Sequence, residues 1–287
     1  MSRRSTRSHA AAAALAAILA AAPAAAGPFD YVKGVMREDT TWSGEVTITG
    51  QTVVKKGATL TILPGTTVRF LWIDEDGDEI GDSELNVEGR IVARGEKDRP
   101  IVFTSGRPEP KMKDWTFIMI STNRDSILEY CTIEYAFSGA QVHYSSATIR
   151  NCLIRRNFEG VRYSTTAVDI LNCDFVENYY GLRFEANGSR ATVTRNRIEG
   201  NRYGIFAPGR GTRTMKIEEN NIVNNTEFQV YFGDRQQGDL DFPRNWWGTT
   251  DPAAIEAGIY DRLDDPLVGK AHWEPALTAP VSPCGIQ

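Results

Sequence analysis

The stretch Ile149-Arg-Asn-Cys152-Leu-Ile-Arg-Arg-Asn157-Phe-Glu-Gly160-Val-Arg-Tyr163 decides the fold, because it returns at once as Ile170-Leu-Asn-Cys173-Asp-Phe-Val-Glu-Asn178-Tyr-Tyr-Gly181-Leu-Arg-Phe184. Working outward from Cys152, the register runs through Cys131, Cys152, Cys173, Asn196, Asn220 and Asn245, at spacings of 21, 21, 23, 24 and 25 residues. Three positions before the first five markers stand Leu128, Ile149, Ile170, Val193 and Ile217, and two after them stand Ile133, Ile154, Phe175, Ile198 and Ile222. Eight after come Gly139, Gly160, Gly181, Gly204 and then Phe228; eleven after come Val142, Tyr163, Phe184, Ala207 and Tyr231. Between these columns polarity alternates with a period of two, as in Ala147-Thr-Ile-Arg150, the pattern of a strand with one buried face. Each repeat supplies at least two short strands separated by turns and cannot bury its apolar face alone, so successive copies must stack. The predicted fold class is all-β, a solenoid of parallel strands with coils about 4.8 Å apart. Leucine-rich repeats share the period and the Cys/Asn column, but they require leucine at most inward sites, where this chain has Ile, Val, Phe and Tyr.

Two further segments flank the repeats. Ahead lie Val53-Val-Lys-Lys-Gly57-Ala-Thr-Leu60-Thr-Ile-Leu-Pro64-Gly65-Thr-Thr-Val-Arg-Phe70 and Arg99-Pro-Ile-Val-Phe-Thr-Ser105; behind lies Asn245-Trp-Trp-Gly248-Thr-Thr-Asp251. With these, the chain resembles the right-handed parallel β-helix superfamily, the pectin-lyase-like fold, and within it the secreted and periplasmic branch of nitrous-oxide reductase accessory β-helix proteins. The resemblance covers residues 42–275 and implies a single-stranded right-handed β-helix. It implies a fold far more than a function.

The chain has 287 residues, 41% of them hydrophobic and 24% charged, with a formal net charge of −5. That composition excludes disorder over most of the length. The long apolar run is N-terminal: Arg3 and Arg4, an alanine-rich core with Leu15, Ile18 and Leu19, then Ala24-Ala-Ala26 before Gly27. This is the layout of a secretory signal with a small-residue cleavage site. No later stretch reaches the roughly 20 apolar residues of a spanning helix. The mature chain is therefore expected to be exported, to the periplasm, outer surface or medium of a bacterium, without a transmembrane segment. Loss of Arg3, Arg4 and Arg7 with residues 1–26 moves the net charge to −8, which disfavours nucleic acid as a partner. The expected organisation is a signal at 1–26, a lead-in at 27–41, the β-helix at 42–275 with an acidic loop at 74–84 and a capping segment at 245–262, and a flexible Pro-rich tail at 276–287. A monomer is expected.

The acidic loop reads Asp74-Glu-Asp76-Gly-Asp78-Glu-Ile-Gly-Asp82-Ser-Glu84. Ca²⁺ takes six to eight oxygen ligands, and alternating carboxylates around glycine turns supply them, so Asp74, Asp76, Asp78 and Asp82 are the candidate Ca²⁺ ligands. The loop departs from the EF-hand pattern, with Glu79 at the glycine position and Leu85 where the last glutamate belongs.

Outward residues of successive coils line up on a solenoid. Ten after the marker stand Gln141, Arg162 and Arg183; six and seven after it stand Phe137, Phe158, Tyr179, Tyr180 and Tyr203. Rings stack on sugar faces and guanidinium groups pair with uronate or sulfate, so these five rings are the candidate ligand-binding residues. Among the nearby acids Glu159, Asp174, Glu177 and Glu185, the candidate catalytic set is Arg162, Arg183, Asp174 and Glu177; in lyases of the resembled fold an arginine or lysine abstracts a proton while acids hold calcium. The three histidines His9, His143 and His272 are too isolated in sequence for a metal cluster. Cys131, Cys152 and Cys173 follow the repeat, which favours a ladder of inward thiols, while one disulfide between coils is left open; Cys284 lies in the tail. The leading expectation is a binding or surface-structural protein engaging a polysaccharide or cell-envelope component. The alternatives are a calcium-dependent polysaccharide lyase or glycosidase, and a purely architectural protein.

Overall fold

The computed structural model describes residues 29–31, 34–122, 125–185, 189–210 and 214–287. The expected signal at 1–26 lies outside the described residues. Among the described residues, three parallel sheets of nine, ten and eight strands run side by side along one axis. Each coil visits them in turn, as in Cys131–Glu134 of the first sheet, Ala136–His143 of the second and Ser146–Arg150 of the third. Each strand then pairs with its equivalent one coil on. The marker columns become inward ladders: Leu128, Ile149, Ile170, Val193 and Ile217 are register partners in the third sheet, and Ile133, Ile154, Phe175, Ile198 and Ile222 in the first. All ten are buried. No helix among the described residues is long and apolar enough to cross a membrane.

The corners explain the marker residues. At the turn from third to first sheet the residue just before each marker is left-handed: Tyr130, Asn151, Asn172, Arg195, Glu219 and Arg244 have φ between 47° and 57°. A non-glycine residue there costs roughly 1–2 kcal/mol, and the turn leaves backbone polar groups pointing into the core. Asn196, Asn220 and Asn245 satisfy them. Asn196 Nδ2 donates to Asn220 Oδ1 at 2.9 Å and to the Ile170 carbonyl at 2.9 Å, and Asn220 repeats the pattern with Asn245. A second ladder, Asn157, Asn178, Asn201 and Asn225, does the same at the turn from first to second sheet, each amide bonded to the next at 2.9–3.0 Å. Cys131, Cys152 and Cys173 are the N-terminal end of the first ladder. They are free and buried, and their thiols donate to inward carbonyls such as Leu128 O at 3.4 Å. Burial pushes the Cys131 and Cys173 thiols well up.

One column departs from the sequence expectation. Bulges between Arg183 and Glu185 and between Ala207 and Gly209 absorb the lengthening repeat. The shift that matters for the eleventh position lies ahead of the second bulge, at the corner: Asn201 meets Asn225, yet Tyr203 pairs with Phe228 and Ala207 with Phe232, so one extra residue enters there and the buried partner is Phe232 in place of the expected Tyr231. Because side chains alternate with a period of two, this single-residue shift turns Tyr231 to the outer face. The glycine column stops at Gly204 for the same reason, since Gln229, not Phe228, is its neighbour. Glycine is required there by close approach, as a Cβ on Gly139 would sit 2.6 Å from the Gly160 carbonyl oxygen.

The tail also differs from the flexible segment expected at 276–287. It runs back along the corner between third and first sheets. Leu277 N–H donates to Asn245 O at 3.0 Å, Val281 N–H to Asn221 Oδ1 at 2.9 Å and Gly285 N–H to Arg195 O at 2.8 Å, while Gln287 O accepts from the Tyr130 hydroxyl at 3.3 Å. Pro275 precedes these donors and Pro280 and Pro283 fall between them, so a segment unable to form a strand still pairs with successive coils. Over 245–262, Asn245 ends the first ladder, Trp247 is buried, and helix Pro252–Ala257 is capped by Asp251 and sets Ile255 against the core.

Asn178→Ala removes an inward donor and an acceptor together and leaves the Ile154 carbonyl and the Asn157 N–H without partners. Its unfolding free energy is expected to fall by about 2–4 kcal/mol in denaturant titration, against about 1 kcal/mol or less for Cys152→Ser, whose hydroxyl keeps the inward donor.

Candidate functional site: the outer face of the second sheet

Three rows of outward side chains lie on the second sheet. The middle row runs Gln141, Arg162, Arg183, Phe206, Tyr231 and Tyr260. On one side lie Ser138, Glu159, Tyr180, Tyr203 and Phe228, and on the other His143, Ser164 and Glu185. The face is thus aromatic toward the C-terminal coils and charged toward the middle of the solenoid.

The aromatic part is continuous. Phe137 stacks on Phe158 at 5.3 Å and Phe158 on Tyr179 at 4.7 Å; Tyr179 meets Tyr203 at 5.7 Å, and Tyr203 stacks on Phe228 at 6.5 Å. A parallel series joins Tyr180 to Phe206 at 4.5 Å, Phe206 to Tyr231 at 5.5 Å and Tyr231 to Tyr260 at 4.9 Å. All nine rings are half-buried. Arg202 lies over Tyr179 at 4.9 Å and Tyr203 at 5.6 Å, and Lys113 over Phe158 at 4.8 Å, so cations edge the platform. Burial, then the neighbouring phenols, pushes the Tyr180 hydroxyl up to about 12. It is a neutral donor at any physiological pH.

The charged part is desolvated. Glu159, with 4% of its side chain exposed, accepts from Arg183 Nη1 at 2.7 Å, while its other oxygen has no hydrogen-bond partner. Arg183 also reaches Glu185 at 3.4 Å, and its Nε has no partner. The Arg162 side chain makes no hydrogen bond among the described residues; its nearest carboxylate oxygens are on Glu185 at 3.9 Å and Glu159 at 4.0 Å. Burial, then the Arg183 charge, holds the Arg162 guanidinium below its ordinary value. His143 bonds Ser164 Oγ through Nδ1 at 2.6 Å and Gln141 Oε1 through Nε2 at 3.2 Å. Burial, then the Arg162 charge, lowers His143, so its ring is neutral at pH 7.

The structure brings Arg162 and Arg183 together with Phe137, Phe158, Tyr179, Tyr180 and Tyr203. It does not bring Asp174 or Glu177 to them. Asp174 lies on the first sheet, paired with Arg197 at 3.0 Å and covered by the tail at Gly285. Glu177 sits at an exposed corner, paired with Arg156 at 2.7 Å. The acids that do join the arginines are Glu159 and Glu185. His143 and Ser164 were missed, because His143 is isolated in sequence; yet His143, Ser164 and Glu185 each stand twelve after a marker, so the same column arithmetic places them side by side.

In the acidic loop, Asp74, Asp76 and Asp78 each offer a carboxylate oxygen within 4.8 Å of the others. Asp82 does not join that group. It closes the base of the loop by accepting the Glu75 N–H, because the loop must return the chain from the first to the second sheet. Gly77 and Glu79 turn the chain with φ of 77° and 64°, and their N–H groups donate to Asp74. The residues fit a calcium ion in donor chemistry, with three of the six to eight oxygens supplied by side chains.

A model described as a right-handed beta helix region matches residues 112–238, and one described as a pectate-lyase like beta helix domain matches residues 34–167. Together the two matches span residues 34–238, and with the three stacked parallel sheets they identify this part of the chain as a right-handed parallel β-helix of the pectate-lyase-like kind. Neither match singles out the nitrous-oxide reductase accessory branch. No curated protein and no solved structure matches the chain.

The lowered His143 has a stability consequence. Between its folded value and the unfolded value near 6.5 the unfolded chain binds a proton that the folded chain does not, so stability is present above that window and falls as pH drops through it. The His143 imidazole resonance should titrate with a midpoint below 6.5. In His143→Asn the loss of thermal midpoint between pH 7 and pH 5 should be smaller than in the parent.

Proposed function

We propose that the chain is an exported carbohydrate-binding β-helix that holds an acidic polysaccharide lengthwise along the second sheet. The observation that carries this reading is the unbroken series of nine half-buried rings along successive coils. Contiguous apolar surface of this kind on a soluble chain marks a ligand surface. An extended polymer suits it, because the rings repeat along the axis and form no closed pocket. Arg162 and Arg183 supply the positive charge that an acidic sugar needs, on a chain whose overall charge is negative. Arg162 is the more available, its guanidinium having no hydrogen bond among the described residues.

The acidic loop stands at the corner between first and second sheets, the corner that carries Phe137, Phe158 and Tyr179 several coils on. Calcium held by Asp74, Asp76 and Asp78 would turn this otherwise negative end of the face into a second site for polymer carboxylates. Binding is favoured over the lyase alternative because Asp174 and Glu177, the acids that chemistry was expected to use, are on other surfaces, and because Glu159 and Glu185 are engaged by Arg183.

Binding is tested by calorimetry with polygalacturonate as the acidic probe and dextran as the neutral one. Tyr203→Ala and Tyr180→Ala are each expected to weaken the acidic polymer about 2–10-fold, the scale of one lost aromatic contact, and Arg162→Gln to remove much of the preference over dextran. Equal affinity in all four proteins would overturn the reading. Calcium titration should show heat in the submillimolar range that disappears in Asp76→Asn; no calcium heat in the parent removes the metal from the proposal.

A further inference from the structure

His143 and Ser164 are register partners on adjacent strands of the second sheet, both outward, at one flank of the binding face. Ser164 Oγ lies 2.6 Å from His143 Nδ1, and Gln141 Oε1 lies 3.2 Å from Nε2. With Gln141 accepting at Nε2, the ring proton is held there and the Nδ1 lone pair faces the serine hydroxyl. This is a nucleophile, a base that can take its proton, and a third group that orients the base. Arg162 stands two residues before Ser164 on the same outward face, roughly 7 Å along the strand. Its N–H donors have no hydrogen-bond acceptor among the described residues, as a group waiting for an anion would. Beside it the almost fully buried Glu159 keeps one oxygen, and Arg183 its Nε, without a partner.

We propose that Ser164 and His143 form a nucleophilic dyad that hydrolyses carboxylic ester substituents on the bound polysaccharide, with Arg162 stabilising the oxyanion. The choice of polysaccharide as carrier rests on the reading above; the dyad itself does not. As the bond from Ser164 Oγ to the ester carbonyl carbon forms, its proton passes to His143 Nδ1. The carbonyl oxygen gains the negative charge beside the Arg162 guanidinium. The carbon–alkoxy bond then breaks and the alcohol leaves with the proton from Nδ1. Water repeats the sequence: one proton goes to Nδ1, the hydroxyl adds to the acyl carbon, and Ser164 leaves with that proton to restore the dyad. No redox partner or cofactor is needed. The groups facing His143 are Arg162 and Ser164 on one neighbouring strand, Arg183 and Glu185 on the next, and Ser121 on the other side. Burial first, then the Arg162 and Arg183 charges, lower His143 against the opposing Glu185 and Ser164, and the ring is neutral at pH 7.

The test uses the purified chain from residue 27, a fluorophosphonate probe, and hydrolysis of 4-nitrophenyl acetate. The expected result is one covalent adduct, located by peptide mass on Ser164, in the parent and in Asp169→Asn on the third sheet. The adduct should vanish in Ser164→Ala and fall strongly in His143→Asn, with ester turnover down at least ~100-fold in each. Arg162→Gln should lower turnover and move the midpoint of the acidic limb upward, because the Arg162 charge is one of the causes that hold His143 down. Ser164→Ala should still bind polygalacturonate as the parent does, which shows that it is folded. No adduct on Ser164, or turnover unchanged in Ser164→Ala, overturns the dyad. An adduct and turnover without polysaccharide binding would keep the dyad and overturn the carrier.

Discussion

The stacked asparagine amides at the coil corners are the interaction on which the remaining structure depends. A coil of 21 to 25 residues can close only by turning sharply, and it does so through left-handed residues such as Asn172, Glu177 and Arg195. Those turns leave backbone groups facing a core with no water. Each inward amide donates to a carbonyl of the coil before it and to the amide oxygen of the coil after it, so the coils are locked at one register. Buried polar groups are costly when unpaired and specific when paired in full. The ladders therefore fix not only that the coils stack but which residue lies over which.

Function follows from that registration. A face built from parallel in-register strands presents like positions in straight rows, so a few residue substitutions per coil convert one surface from charged to aromatic. Gln141, Arg162 and Arg183 give way to Phe206, Tyr231 and Tyr260 along a single row. The charged end is held half out of water, which strengthens its ion pairs and lowers His143 and Arg162 together. The aromatic end offers area and little directionality. One end of the face suits orientation and charge recognition, the other suits length.

Elsewhere the molecule spends its charge on the surface. Arg155 with Glu134, Arg156 with Glu177, Arg197 with Asp174 and Arg244 with Glu219 bridge neighbouring coils at the corners and on the first sheet. Such partly exposed pairs contribute little each, and they account for these four arginines without any role in basic chemistry. The tail adds hydrogen bonds across the same corner and covers Asp174. Acids and bases that look alike in the sequence are thus sorted by sheet into those that tie coils together and those that stand beside the rings of the second sheet.

The columns of Leu128 and Ile133, the marker residues and the five rings were all legible in the sequence, because a repeat writes its inward face as a period and its outer rows as an offset from that period. Arg162 and Arg183 were legible for the same reason. His143 was not recognised, although it shared an offset with Ser164, because a single histidine carries no signal until its neighbours on other coils are placed. The tertiary structure alone decided three things. One extra residue at the corner between Asn225 and Phe228, which a fixed offset does not register, turned Tyr231 outward. The docking of the tail took Asp174 out of solvent and made ordered use of prolines that read as flexibility. The second sheet gathered Glu159 and Glu185 to the arginines while leaving Glu177 at a corner, since nearness along the chain measures position on the coil, whereas chemistry requires a shared face.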